Sequence, residues 1–234
     1  MVASGTYSYN PAAANLILVA FSRIGIRRTA IAAEHMADAE NEANLVQVKL
    51  ANLQPNLFTD ELYEQVLTEG EETYTLPARM IAIAAAYITT TSGGVSQDRI
   101  IWPLSVYEYS ALPDKTTQGA VTSYWYNRIN PPEVKLWPVP DGNATYTLKM
   151  RIYRQIQDVS IPGGATLEVP YRWLDVFVAE LAYRLARIYA PDKEAARKQD
   201  ATDAWGNAAF EDQERVPMFV QPDLSGYYRI WEGR

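Results

Sequence analysis

Four sets of side chains in this 234-residue sequence could carry chemistry. Glu69, Glu71 and Glu72 bring three carboxylates together, as an acid/base pair or a cation site would require. The stretch reads as a hairpin tip, where alternation sends Glu71 and Glu72 to opposite faces. That spacing favours a solvated turn; the alternative is a cell-wall-directed hydrolase using a pair such as Glu69 and Glu72. His35 is the single histidine. Its nearby helpers are Glu34 and Asp38, and it sits one position off a helical seam, so it reads as a packing or interface residue. Two basic clusters, Arg23/Arg27/Arg28 and Arg184/Arg187/Lys193/Arg197/Lys198, could meet DNA phosphates or an acidic partner. Equally, they could pair with acids of a neighbouring helix. Trp125, Trp137 and Trp173, with Tyr124, Tyr126 and Tyr153, could form a stacking platform for bases or sugars. The commoner use of such residues is closing a β core. Trp137, Arg172 and Trp173 flank the return from the β-rich stretch to a helix, and are expected to pack at a domain junction.

Several classes of function are excluded. There is no cysteine, so disulfides and thiolate metal sites are impossible. No phosphate loop, dinucleotide fingerprint, HExxH or GxSxG motif occurs. No catalytic, cofactor or metal set is therefore assigned. A net charge of −7 argues against tight binding to a nucleic-acid backbone and suits a surface that DNA must pass without sticking. No uncharged apolar run reaches the ~18 residues of a membrane span. The opening MVASGTYSYNP lacks the basic and apolar regions of a signal peptide, so synthesis in the cytoplasm is expected.

The elements that must position these residues follow from periodicity. Residues 1–9 read as an arm. Asn10-Pro11 reads as a helix start, with Asn as N-cap and Pro at the first position. Ala13, Leu16, Ile17, Ala20, Phe21 and Ile24 share one face, and Gly25 ends the helix. A second helix over about 30–53, capped by Thr29, carries the seam Ala32, Met36, Ala39, Ala43, Val46, Leu50, Leu53. Its other face, with Glu34, Asp38, Glu42 and Lys49, is expected to be solvated. Strands and turns fill 60–160. Val66-Leu67 and Thr73–Leu76 read as a hairpin around Glu69-Gly70-Glu71. Met80–Thr91 is apolar and β-branched, with helix left open by its alanines, and a loop follows at Thr91–Gly94. Arg99–Trp102 reads as a short strand. A short helix is expected after Ser105. Strands are expected at Val121–Ile129, Glu133–Trp137 and Ala144–Ile156. In the last, Tyr146, Leu148, Met150 and Ile152 alternate with polar residues, predicting one buried face. A helix from about Pro170 shows the stripe Leu174, Phe177, Val178, Leu181, Leu185, Ile188. A polar helix covers about 192–213. The expected fold is α+β: a bundle of two N-terminal and two C-terminal helices (10–58 and 170–214), an inserted antiparallel β domain (59–169), and an extended C-terminal arm (215–234).

YWYNRINPPEVKLWPVPDG, YTLKMRIYRQIQD and VPYRWLDVFVAELAYRLARIYAPD together resemble the head-to-tail adaptor proteins of short-tailed phages. The shared pattern is an aromatic strand, an L-W-P-x-P-D turn at Leu136–Asp141, a Tyr-rich strand, and a V-P-x-R-W entry to a helix at Val169–Trp173. WPLSVYEYSAL, from Trp102, is also similar. The resemblance runs from about Asn10 to Glu214. It implies a structural virion protein, not an enzyme, at the head–tail neck. It implies a homo-oligomeric ring, usually of twelve, beneath the portal protein. Such a ring extends the DNA channel without sequence-specific binding and carries the tail nozzle or tail fibres, with no membrane contact. The tail Tyr227, Tyr228, Arg229, Ile230 and Trp231 would suit the portal contact. A carbohydrate- or nucleic-acid-binding module is the other alternative.

Overall fold

The computed structural model describes residue 5 and residues 8–53 and 57–211. The first helix, α1 (Ala13–Arg23), starts later than Asn10-Pro11 suggests. Its N-cap is Ala12, which forms a β-bridge with Thr166, and the Ala13 N–H donates to the Ala165 carbonyl at 2.8 Å. A tertiary backbone contact replaces the side-chain cap. The expected face is buried. Gly25, at φ +87°, ends the helix: its N–H donates to Ser22 O at 3.0 Å and that of Ile26 to Phe21 O at 3.0 Å. This paired closure needs a left-handed residue.

A 3₁₀ turn at Arg28–Ala30 intervenes before α2 (Ala33–Leu53), so α2 begins three residues later than Thr29 capping predicts. The His35 Nδ1 accepts the Ala32 N–H at 3.1 Å and serves as the cap. The seam is buried at Ala39, Ala43, Val46 and Leu50 and opens at both ends, where Ala32 and Leu53 are exposed. The flanking face is not simply solvated. Asp38 accepts the Tyr189 hydroxyl (2.6 Å), Glu42 pairs with Arg184 (3.1 Å) and Lys49 with Glu180 (2.7 Å). Their partners lie on α4 (Leu174–Tyr189). Numbers rise along α2 as they fall along α4, so the two run antiparallel. α5 (Glu194–Glu211) turns back along α4, with Arg187 facing Glu194 at 3.7 Å. The 3₁₀ turns Tyr171–Trp173 and Pro191–Lys193 precede these helices. Lys193 donates to Ile24 O at 2.8 Å, satisfying a carbonyl at the end of α1. Ile17, Phe21, Trp173 and Phe177 centre one apolar cluster shared by all four helices.

The central region holds a second cluster built around Ile88, Leu136, Leu148 and Met150. One sheet has the order β1-β10-β3-β4, from Asp60–Val66, Thr145–Arg154, Met80–Ser92 and Val95–Ile100. A second has the order β2-β8-β7-β5, from Thr73–Thr75, Glu133–Trp137, Ser123–Asn127 and Trp102–Pro103. β6 (Gln118–Gly119) pairs with β9 (Val139–Pro140). Pairing is antiparallel throughout the two sheets except the two-residue β5–β7 contact, which is parallel, as is β6–β9.

The expected hairpin around Glu69–Glu71 does not form. β1 pairs with β10 and β2 with β8, so Gly70 (φ +75°) turns the chain from one sheet to the other. Met80–Thr91 is strand, not helix. The loop at Gly93-Gly94 is a two-residue turn, both φ positive, with Ser92 opposite Val95. β10 buries Tyr146, Leu148, Met150 and Ile152, as alternation predicts. α3 (Val106–Ala111) starts at Ser105 with a capping box to Glu108, whose carboxyl these bonds hold below its usual value.

Candidate docking surface

The β sheets are positioned on the helices by a strap, residues 155–169, that leaves β10 and crosses the bundle. Asn44 of α2 grips it at Val159, accepting the N–H at 2.7 Å and donating to the carbonyl at 3.4 Å. Glu40 accepts the Ile161 N–H at 3.2 Å. Ile156, Val159, Leu167 and Val169 bury into the helical cluster. Arg154 then bridges both parts, with Glu168 on the strap at 2.5 Å and Glu61 of β1 at 3.1 Å; Glu61 also holds Arg79 at 2.7 Å. Arg154 holds the Glu168 carboxyl below the ordinary carboxylate range, helped by the Gln157 N–H, and Glu168 in turn raises the guanidinium. Sequence reading missed this junction. Asn44, a poor helix former inside a long helix, was the available signal.

The residues assigned to the junction from sequence are spread out. Trp173 is 1% exposed in the helical core, 6.2 Å from the Phe58 ring at the entry to β1. Arg172, its neighbour, is on the surface. Trp137 closes β8, its indole N–H donating to Asp114 O at 3.1 Å. Tyr227, Tyr228, Arg229, Ile230 and Trp231 lie outside the described residues, as does the arm that follows α5.

The other candidate sets do not assemble into a reaction centre. Glu72 pairs with Lys135 at 3.3 Å, whereas the Glu69 carboxylate lies against Gly142. His35 packs between Phe21 and Tyr189, and Asp38 is engaged by the Tyr189 hydroxyl, which burial first and Asp38 second push up to about 12. Among the basic residues, Arg184 meets Glu42 on α2, and Arg23 meets Asp175 at 2.6 Å. The aromatic residues make no common platform. Trp125 stacks on Tyr109 at 5.0 Å, Tyr124 is buried, and Trp173 belongs to the other core. Among the described residues no group of three His, Cys, Asp or Glu could hold a metal ion, and no helix is long and apolar enough to cross a membrane.

What the fold leaves outside is apolar surface. Ile100, Trp102, Val106 and Tyr107 are exposed, Trp102 by 67% and Tyr107 by 80%, while Ile101 between the first two is buried. Along α2, the exposed positions Ala37, Asn41, Leu45, Val48 and Asn52 form an outward stripe of a turn or so per step with no charge in it. The stripe leads into a cleft of about 630 Å³ between α2 and the β sheets.

Among the described residues, then, the acidic, histidine, basic and aromatic sets do not converge, and several large apolar side chains stay exposed. The chain belongs to the SU10 adaptor protein family, a family of phage head–tail adaptors, whose family model matches residues 12–221. No curated protein matches the chain.

Proposed function

We propose that this protein forms a homo-oligomeric ring beneath the portal of a phage head, extends the DNA channel and carries the tail nozzle or tail fibres. Membership of an adaptor family supports binding to other virion components. The observation that carries the reading further is the apolar surface around Trp102 and Tyr107, which the fold does not use. In a ring each contact is heterologous, so one face of a subunit must complement a different face of the next. The uncharged stripe of α2 and the Trp102 surface are suited to such faces. The net charge of −7 suits a channel that repels passing DNA.

In this reading the helices and the β sheets are two domains, and Tyr227, Tyr228, Arg229, Ile230 and Trp231 contact the portal. Electron microscopy of the purified protein, alone and mixed with portal rings, tests ring formation. Rings in either sample are expected; monomers in both would sink the reading. A portal pull-down with protein lacking residues 216–234 tests the contact. Loss of capture is expected, and undiminished capture would remove Tyr227–Trp231 from that role.

A further inference from the structure

The sheet β1-β10-β3-β4 ends in two open edges. Among the described residues, β1 pairs with β10 alone and β4 with β3 alone. The two ladders fix which backbone groups each edge offers. Along an antiparallel strand, residues alternate between bonding across the ladder and turning their N–H and C=O away from it. The Ile101 N–H donates to Ala86 O at 3.1 Å, so Val95, Gln97 and Arg99 bond inward and Ser96, Asp98 and Ile100 turn outward. The Leu67 N–H donates to Tyr146 O at 2.9 Å, so Asp60, Leu62, Glu64 and Val66 turn outward from β1. The Gln65 side-chain amide already donates to the Val66 carbonyl at 2.9 Å. Asp60, Leu62 and Glu64 on one edge therefore match Ser96, Asp98 and Ile100 on the other.

Neither edge carries the usual protection. Open edges are kept from pairing by proline, by lysine or by a cover. Neither β1 nor β4 contains proline or lysine, and every residue of β4 is exposed. The acids of β1 could repel a neighbour, but each is engaged within the domain. Asp60 meets Arg151 at 3.1 Å, Glu61 meets Arg79 at 2.7 Å and Glu64 meets Lys149 at 3.4 Å. On β4, Asp98 accepts the Thr89 hydroxyl at 2.7 Å and Arg99 donates to the Val121 carbonyl. What both edges present outward is backbone, flanked by Leu62, Val66, Val95 and Ile100.

We propose that the β4 edge of one copy pairs with the β1 edge of the next, so that the sheet runs on from subunit to subunit. The proposal rests on the ring reading above and names the backbone contact that joins its members. Three features single out a second copy. First, the four strands alternate in direction, so β1 and β4 run opposite ways. A neighbour related by rotation about an axis along the strands therefore brings its β1 antiparallel to β4. Second, the row Ile100, Tyr87, Lys149, Glu64 crosses the sheet on one face, so the outward residues of both edges share that face. The two sheets join without turning over. Pairing Ser96 with Glu64, Asp98 with Leu62 and Ile100 with Asp60 uses all of these positions and sets Arg99 opposite Glu61. Third, like edges fit poorly. β1 against β1 crowds the carboxylates of Asp60, Glu61 and Glu64 from both copies, and either like pairing leaves the other edge open. β1 against β4 closes both, as a heterologous ring contact requires.

The chain has no cysteine, so engineered thiols can be placed one at a time. Full-length Ser96→Cys and Glu64→Cys proteins are oxidised with portal rings, separately and mixed, and run on non-reducing gels. Neither variant alone should form dimers, the mixture should, and the double variant should give a ladder beyond the dimer. Ser96→Cys mixed with Gln65→Cys, one residue along and on the other face, sets the background and should react several-fold more slowly. Ser96→Pro removes one outward N–H and no bond of the β3 ladder. It should lower the yield of rings several-fold, with circular dichroism confirming the fold. Dimers from Ser96→Cys alone, a mixture no faster than background, or an unchanged ring yield with Ser96→Pro would each overturn the proposal. Rings seen by electron microscopy without these disulfides overturn the edge pairing and leave the ring reading standing. Neither rings nor disulfides would overturn both.

Discussion

β10 and β4 belong to the same sheet and stand in opposite relations to it. β10 is paired on both sides, by β1 and β3, and every second residue from Tyr146 to Ile152 is buried. β4 is paired on one side only, and all six of its residues are exposed. The alternation of β10 is accounted for by its own core. Val95 and Ile100 of β4 face water at both ends of an open edge, and no core accounts for them. One strand of this sheet is therefore spent on the core, while another leaves an apolar edge open.

The largest expected effect lies on the β10 side. Leu148→Ala removes a fully buried side chain between Gln65 of β1 and Ile88 of β3, and should cost about 2–5 kcal/mol in urea unfolding. A smaller effect belongs to the strap. Glu168 is held below its ordinary value in the folded protein, so its stabilising contribution is present above the unfolded carboxylate value. It is lost as pH falls through the depressed folded value. Glu168→Gln should lower the urea midpoint at neutral pH, and the gap to wild type should close on acidification through that range. The smallest stability effect belongs to the edge: Ile100→Lys with Trp102→Lys should stay within about 0.5 kcal/mol per site, yet abolish rings seen by electron microscopy. A large stability loss there would erase the distinction between the strands.

Periodicity made β10, the buried face of α1 and the stripe of α4 legible, because a single buried face imprints its repeat on the sequence. Ser105 and Glu108 were legible because a capping box is local. The misses were long-range. Asn10 and Thr29 are good caps by type, but Ala12 is tied to Thr166, and His35, in the first turn of α2, reaches back to accept the Ala32 N–H. Val66 and Thr73 flank a good turn, but each strand has a better partner elsewhere, in β10 and β8. The junction was placed on Trp137, Arg172 and Trp173, of which Trp173 touches the entry to β1. Arg154 and Glu168, 14 residues apart, gave no sign that a strap would bring them together.

The chain enters the first sheet at Asp60 and leaves it at Arg154, one residue past Tyr153, which faces Asp60 across the β1–β10 ladder. Everything between them hangs from two points about 5 Å apart. A segment attached in this way is a cassette. It can be lengthened, shortened or exchanged for another of different shape without moving either helix to which its ends return.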